Sequence, residues 1–332
     1  MARWAGTMAH CEGGLRMTDH DDNARQQRSA RLRAGLLTAA IATVLLATVC
    51  GGSPAGASAP GSAAAAGGYL YWSNTTGRIL KPGDGMIIRA RLSGADVNQK
   101  FITGASLPGM ILVFGQYLYW TNIVPVRNGA GTIGRARLDG TDVNQKFITG
   151  ASLPVGVTAA GGYLYWTNNA TGTIGRARLD GTDVNQRFIK TAQPNGPDAV
   201  VAGSGHLYWA NDFNIGRANL NGTGVNQRFI AVPNGPSGVA GLAVNSRYIY
   251  WTDEVGNEIG RASLNGTGVN QRFVTGASFP DAIAAGSRYL YWTNQDSRAI
   301  GRARLNGTDV NQRFVAKKDF RNLHGVAVNP GQ

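Results

Sequence analysis

Residues 163–189 read YLYWTNNATGTIGRARLDGTDVNQRFI, and the phrase that opens this stretch returns as YLYWSN, YLYWTN, HLYWAN, YIYWTD and YLYWTN. The motif tryptophans Trp72, Trp120, Trp166, Trp209, Trp251 and Trp292 stand 48, 46, 43, 42 and 41 residues apart. A period in the forties marks a repeat architecture. Within one unit the aromatic phrase is rich in strand-forming residues. IGRARL sets Ile, Arg and Arg on one face against Gly, Ala and Leu on the other, and VNQRF sets Val, Gln and Phe against Asn and Arg. Asp-Gly or Asn-Gly joins the last two segments, a hairpin signal because both residues tolerate positive φ. A Gly/Pro-rich link and an apolar stretch such as DAVVAGSG complete the unit.

Four short strands written six times, with no helical period after residue 50, predict an all-β fold: a six-bladed β-propeller with four antiparallel strands per blade. The first unit opens on its aromatic strand at Tyr69, and the last ends on GVAVNPG, residues 325–331, an apolar strand with no aromatic partner after it. Pairing the two closes the ring and removes two exposed sheet edges. The C-terminal strand is therefore expected to complete the first blade.

At this point the residues resemble a known family. YWTD at Tyr250–Asp253 and IGRASLNGTGV at Ile259–Val269 are similar to the class B, or YWTD, repeat of the low-density lipoprotein receptor. The likeness runs over residues 69–329 in all six units, and it implies six blades. Only Asp253 keeps the acidic residue; Asn74, Asn122, Asn168, Asn211 and Asn294 stand elsewhere, able to keep a hydrogen bond but not a salt bridge. The receptor's cysteine-rich modules have no counterpart, so endocytic function is not carried over.

The first 59 residues follow other rules. Arg25, Arg28, Arg31 and Arg33 precede an apolar run from Ala34 to Val49 and then a small-residue tract, the order of a secretory signal. The run is shorter than the ~20 residues that span a bilayer. Residues 1–59 are read as export signal and linker, and residues 60–332 as the propeller. Two readings of the export step stay open, cleavage after Ala57 or Ala59 and a lipid on Cys50, and so does a start at Met17. The expected location is secreted or cell-surface. Cys11 and Cys50 are the only cysteines, so the propeller is held by packing without disulfides.

Aromatic residues invite a ligand platform, yet all 11 Tyr and every Trp but Trp4 lie in the six phrases, and six of the 10 Phe end VNQ(K/R)F. Leu70 and Trp72 should face one neighbouring blade, Tyr69 and Tyr71 the other, as packing material. The chain carries +13, and residues 60–332 still carry +11. Sixteen of those cations occupy repeat positions, spread around the ring rather than gathered along a groove. That distribution argues against nucleic acid and points to a diffuse rim able to hold an anionic envelope polymer.

Catalytic material is sparse: past residue 60 only His206 and His324 are histidines, and there is no GxSxG. The expectation is no enzyme and no cofactor. Asp198 and Asp281 hold comparable places before an apolar strand and are the candidates for a Ca²⁺ ion in the central channel, weighed against simple turn capping. The sequons at Asn74, Asn169, Asn221, Asn265 and Asn306 are largely by-products of turns.

Counting the apolar stretch as a blade's first strand, the third connection is nearly constant: SGAD, DGTD, DGTD, NGTG, NGTG and NGTD. The second and fourth, which open on the opposite face, vary widely. Selective binding is expected on that variable face, with Arg127, Asn128, Asp212, Phe213, Glu254, Phe279, Arg298 and Phe320 as candidates. The reading is a monomeric, non-catalytic scaffold for a protein, a peptide or an envelope polymer. The alternative is a lactonase- or lyase-like propeller enzyme with a divalent metal in its channel.

Overall fold

The computed structural model describes residues 68–75, 82–123, 130–192, 196–211, 213–232 and 239–329. Its strands form six four-stranded antiparallel sheets, one per repeat. The third blade shows the plan: β8 (Pro154–Ala160), β9 (Tyr163–Asn168), β10 (Thr173–Arg178) and β11 (Asn185–Lys190), paired in that order. The apolar strands lie innermost and pack on those of the neighbouring blades.

The first blade draws its inner strand from the far end of the chain. β24 (Leu323–Asn329) pairs with β1 (Tyr69–Thr75), followed by β2 (Gly85–Arg91) and β3 (Asn98–Ala105). Leu70 stands opposite Val328, Tyr71 opposite Ala327 and Trp72 opposite Val326. The predicted latch is the observed closure.

Blades are joined by the aromatic phrase. Tyr71 packs in one cluster with Leu118 and Trp120 of the next blade, Tyr119 with Leu164 and Trp166, and so around to Tyr291 with Leu70 and Trp72. Period-two alternation produces this, because neighbouring residues of one strand serve opposite seams. All six motif tryptophans are fully buried. In five blades the Trp lies over a glycine of the third strand: a Cβ on Gly134, Gly175, Gly216, Gly260 or Gly301 would come within 2.1–2.3 Å of the indole. The second residue of IGRAR is therefore glycine for lack of space.

The first blade breaks that rule, since Ile88 stands opposite Trp72. Trp72 instead meets Phe320 edge-on at 5.5 Å, and its Nε1 finds no acceptor among the described residues. In three other blades Nε1 donates to a glutamine of the outer strand: Trp120 to Gln145, Trp166 to Gln186 and Trp292 to Gln312, at 3.0–3.1 Å.

The repeat cations divide into three groups. Arg89, Arg135, Arg176, Arg261 and Arg302 each lie between a Tyr ring at 4.3–4.7 Å and a Phe ring at 4.0–4.1 Å. Arg217, where His206 replaces the tyrosine, sits 3.9 Å from Phe229. Arg91, Arg137, Arg178 and Arg304 pair with Asp96, Asp142, Asp183 and Asp309 in the constant turn. In the two units with Gly224 and Gly268 at the Asp position, Asn219 and Ser263 replace the Arg. That position has positive φ, which only Asp or Gly fills here. The third group, Lys100, Lys146, Arg187, Arg228, Arg272 and Arg313, is exposed on the outer edge strands, with Arg272 pairing with Glu258 at 3.1 Å. Ten of the sixteen repeat cations are thus engaged by aromatic stacking or turn pairing, although Arg137, Arg178 and Arg304 stay exposed while paired.

Candidate functional site

The last residue of the aromatic phrase begins the variable face. Asn122 accepts the Ser106 amide at 3.0 Å through Oδ1 and donates to the Gln145 carbonyl at 2.9 Å through Nδ2. Asn168 does the same with Ser152 and Gln186, and Asn294 with Ser278 and Gln312. Asn74 accepts the Arg321 amide across the ring closure. The side-chain amide ties the incoming connection to the outer strand, and a carboxylate cannot do both. Asp253 instead accepts the Gly256 amide at 2.8 Å, and burial raises its pKa above the usual aspartate value.

One residue earlier, a hydroxyl clamps adjacent inner strands. Ser73 Oγ accepts the Gly325 amide of its own blade and donates to the Gly109 carbonyl of the next. Thr121 donates to Val155, Thr252 to Asp281 and Thr293 to His324. The strand register aligns Gly109, Val155, Asp198, Ala240, Asp281 and His324 as one equivalent position per blade. Together they ring the mouth of the central channel on the variable face.

On this ring the Asp281 carboxylate lies 2.8 Å from His324 Nδ1 and accepts from Gln295 Nε2 at 2.7 Å. Asp198 accepts from Asn169 Nδ2 at 2.9 Å. Both carboxylates are thus engaged by side-chain partners. Among the described residues no group of three or more His, Cys, Asp or Glu is gathered to hold a metal ion. His324 and Gln295 were not singled out as site residues from sequence; aligning His324 with Asp198 and Asp281 on their inner strands is the signal that finds it.

The predicted loop candidates fare unevenly. Phe213 is half exposed between β13 (His206–Asn211) and β14 (Asn214–Asn219). Arg298 is exposed in a turn with φ 53°, and Glu254 is partly exposed after Asp253. Phe279, at φ 52°, is partly buried, its amide donating to Asn257 and its carbonyl accepting from Gln295. Phe320 is corrected: it is fully buried against Trp72 and presents nothing to a partner. The missing glycine opposite Trp72 is the reason, since Ile88 leaves the indole where a ring must pack beside it. Arg127, Asn128 and Asp212 lie outside the described residues, as do the export segment with Cys50 and Met17. Among the described residues no helix is long and apolar enough to cross a membrane.

By sequence, no curated protein matches the chain. Residues 288–330 match the low-density lipoprotein receptor repeat class B. That span starts at the aromatic strand of the sixth blade and runs into β24, so the sequence repeat is offset by one strand from the structural blade. A chain in the crystal structure of a nidogen–laminin complex superposes with a TM-score of 0.63 at 21% identity, covering 79% of this chain and 98% of that one. Virginiamycin B lyase from Staphylococcus aureus gives 0.55 at 20% identity, covering 78% and 88%. A streptogramin B lyase gives 0.53 at 17% identity, covering 78% and 91%. At these identities the likeness is one of fold. The chain is a six-bladed β-propeller, and its residues 288–330 match the low-density lipoprotein receptor repeat class B.

Proposed function

We propose that this protein is an exported, non-catalytic scaffold that holds a protein or peptide partner on its variable-loop face. The observation that carries the reading is the contrast between the two faces. One presents nearly the same turn six times, each copy closed on itself by an Asp, Asn or Ser side chain that accepts a turn amide. The other presents Phe213, Glu254 and Arg298, none of which recurs at an equivalent place. A half-exposed aromatic and individual charges carried on one face of the ring fit the composition of a protein-binding surface. The nidogen propeller, solved in a complex with laminin, supports protein binding by this fold. The test is capture from an envelope extract by the full chain and by a Phe213→Ala, Glu254→Ala, Arg298→Ala triple variant. A partner held by the wild type should be lost from the variant, and equal retention would remove the loop face from consideration.

A second reading, retention on an anionic envelope polymer, rests on the six exposed outer-strand cations. It requires binding at low salt and release at moderate salt. The lyase neighbours motivate an enzymatic rival with a divalent metal in the channel. Elemental analysis of the purified full chain discriminates it, because a stoichiometric divalent ion would favour the enzyme.

A further inference from the structure

Among the described residues, the pair formed by His324 and Asp281 brings two titratable side chains from different blades together at the channel mouth. Its backbone is held from outside: Thr293 Oγ1 donates to the His324 carbonyl at 2.9 Å, and Thr252 Oγ1 to the Asp281 carbonyl at 2.5 Å. Both residues sit near the start of inner strands, His324 on β24 and Asp281 on β20 (Pro280–Ala285). A rigid pair of strand ends, not a loop, therefore carries them.

The side-chain geometry then selects the tautomer of the imidazole. Asp281 Oδ2 accepts from Gln295 Nε2 at 2.7 Å and lies 2.8 Å from His324 Nδ1. A carboxylate only accepts, so a proton on Nδ1 satisfies the 2.8 Å contact with Asp281, while Gln295 Nε2 lies a longer 3.4 Å from the same nitrogen; the Nδ1–H tautomer carries its lone pair on Nε2. Nε2 makes no hydrogen bond to the described residues. The His324 side chain is 24% exposed and that of Asp281 14%, so the pair is sheltered yet reachable. Gly109, Val155 and Ala240, at the equivalent places of three other blades, put nothing larger than valine on the ring.

We propose that His324 Nε2 is a hydrogen-bond acceptor at the channel mouth for a neutral, hydroxyl-bearing ligand, with Asp281 and Gln295 as positioning residues. A lone pair on nitrogen calls for a donor. An anion meets the negative charge of Asp281 and Asp198. An ammonium is served better by a carboxylate than by an imidazole, and Oδ2 already has two partners. A hydroxyl group of a polyol or sugar satisfies Nε2 without a change of charge. This site is independent of which partner covers the outer loops.

The test is long-range ¹H–¹⁵N correlation on the full chain, whose sequence has four histidines, with His324 assigned by the signal lost in His324→Gln. The wild type should show His324 in the Nδ1–H form. Methyl glucoside should shift its Nε2 resonance and leave His206 unmoved, while inorganic phosphate and methylammonium should leave both unmoved. Asp281→Ala should abolish the tautomer preference and weaken the methyl glucoside response about tenfold, as loss of a hydrogen bond to a charged group predicts. If that variant unfolds, Gln295→Ala carries the same arm, with a weaker response at an unchanged melting temperature. An Nε2–H ring in the wild type, silence toward methyl glucoside, or a response to phosphate or methylammonium in its place would each overturn the proposal.

Discussion

Replacing Phe320 by alanine separates a structural ring from a binding one. Phe320 is fully buried, packs edge-on against Trp72 at 5.5 Å, and shares a cluster with Leu70, Ile88 and Leu323. Truncating a buried phenylalanine costs about 3–5 kcal/mol, through lost transfer energy and the cavity left behind. Collapse around that cavity is limited, because Ile88 prevents the Trp72 indole from settling on the third strand as the Trp166 indole does over Gly175. At roughly 2 °C per kcal/mol for a large single domain, the midpoint should fall by about 6–10 °C. The assay is thermal and urea unfolding of Phe320→Ala followed by tryptophan fluorescence, with Phe213→Ala as the exposed control expected within about 0.5 kcal/mol of wild type. Adding Ile88→Gly to Phe320→Ala should cost less than the two single losses summed, since the indole then has the space it has in the other blades. A Phe320→Ala midpoint within 1–2 °C of wild type, on the order of the control's shift, would refute the packing assignment and return Phe320 to the candidate surface.

Deleting residues 322–332 removes β24 and should replace the single cooperative transition with a broad one at lower temperature; calorimetry showing an unchanged transition would contradict the latch. Gly175→Ala places a Cβ 2.3 Å from the Trp166 indole and should destabilise the blade by about 1–3 kcal/mol, measured by urea midpoint. Asp253→Asn should stabilise the protein at neutral pH. The folded-state pKa of Asp253 is raised by burial, so protonation favours the folded state, and that contribution is lost as pH rises through the folded pKa. The gain over wild type should therefore appear as pH rises through that value and vanish in acid. Denaturant midpoints at several pH values that differ by a constant would argue against a buried carboxylate.

What the sequence determined by itself was everything that repeats. Strand period, turn chemistry and the spacing of six tryptophans specify blades, their number and their closure, because these are local patterns that each unit states in full. The alternation in YLYWTN already assigned Leu and Trp to one seam and Tyr to the other. The same logic misplaced Phe320: lying outside the repeat positions, it was read as surface, whereas it compensates for Ile88, a contact between residues 232 positions apart in the chain. Nor does the sequence show which of the sixteen repeat cations stack or pair, because that depends on which rings and carboxylates the fold brings beside them. The channel mouth belongs wholly to tertiary structure. Asp281 and His324 are 43 residues apart and meet only because closing the ring sets the last inner strand in the first blade, beside the sixth. A unit repeated six times encodes its own contacts, but a site assembled from one residue of each unit exists only once the ring is closed.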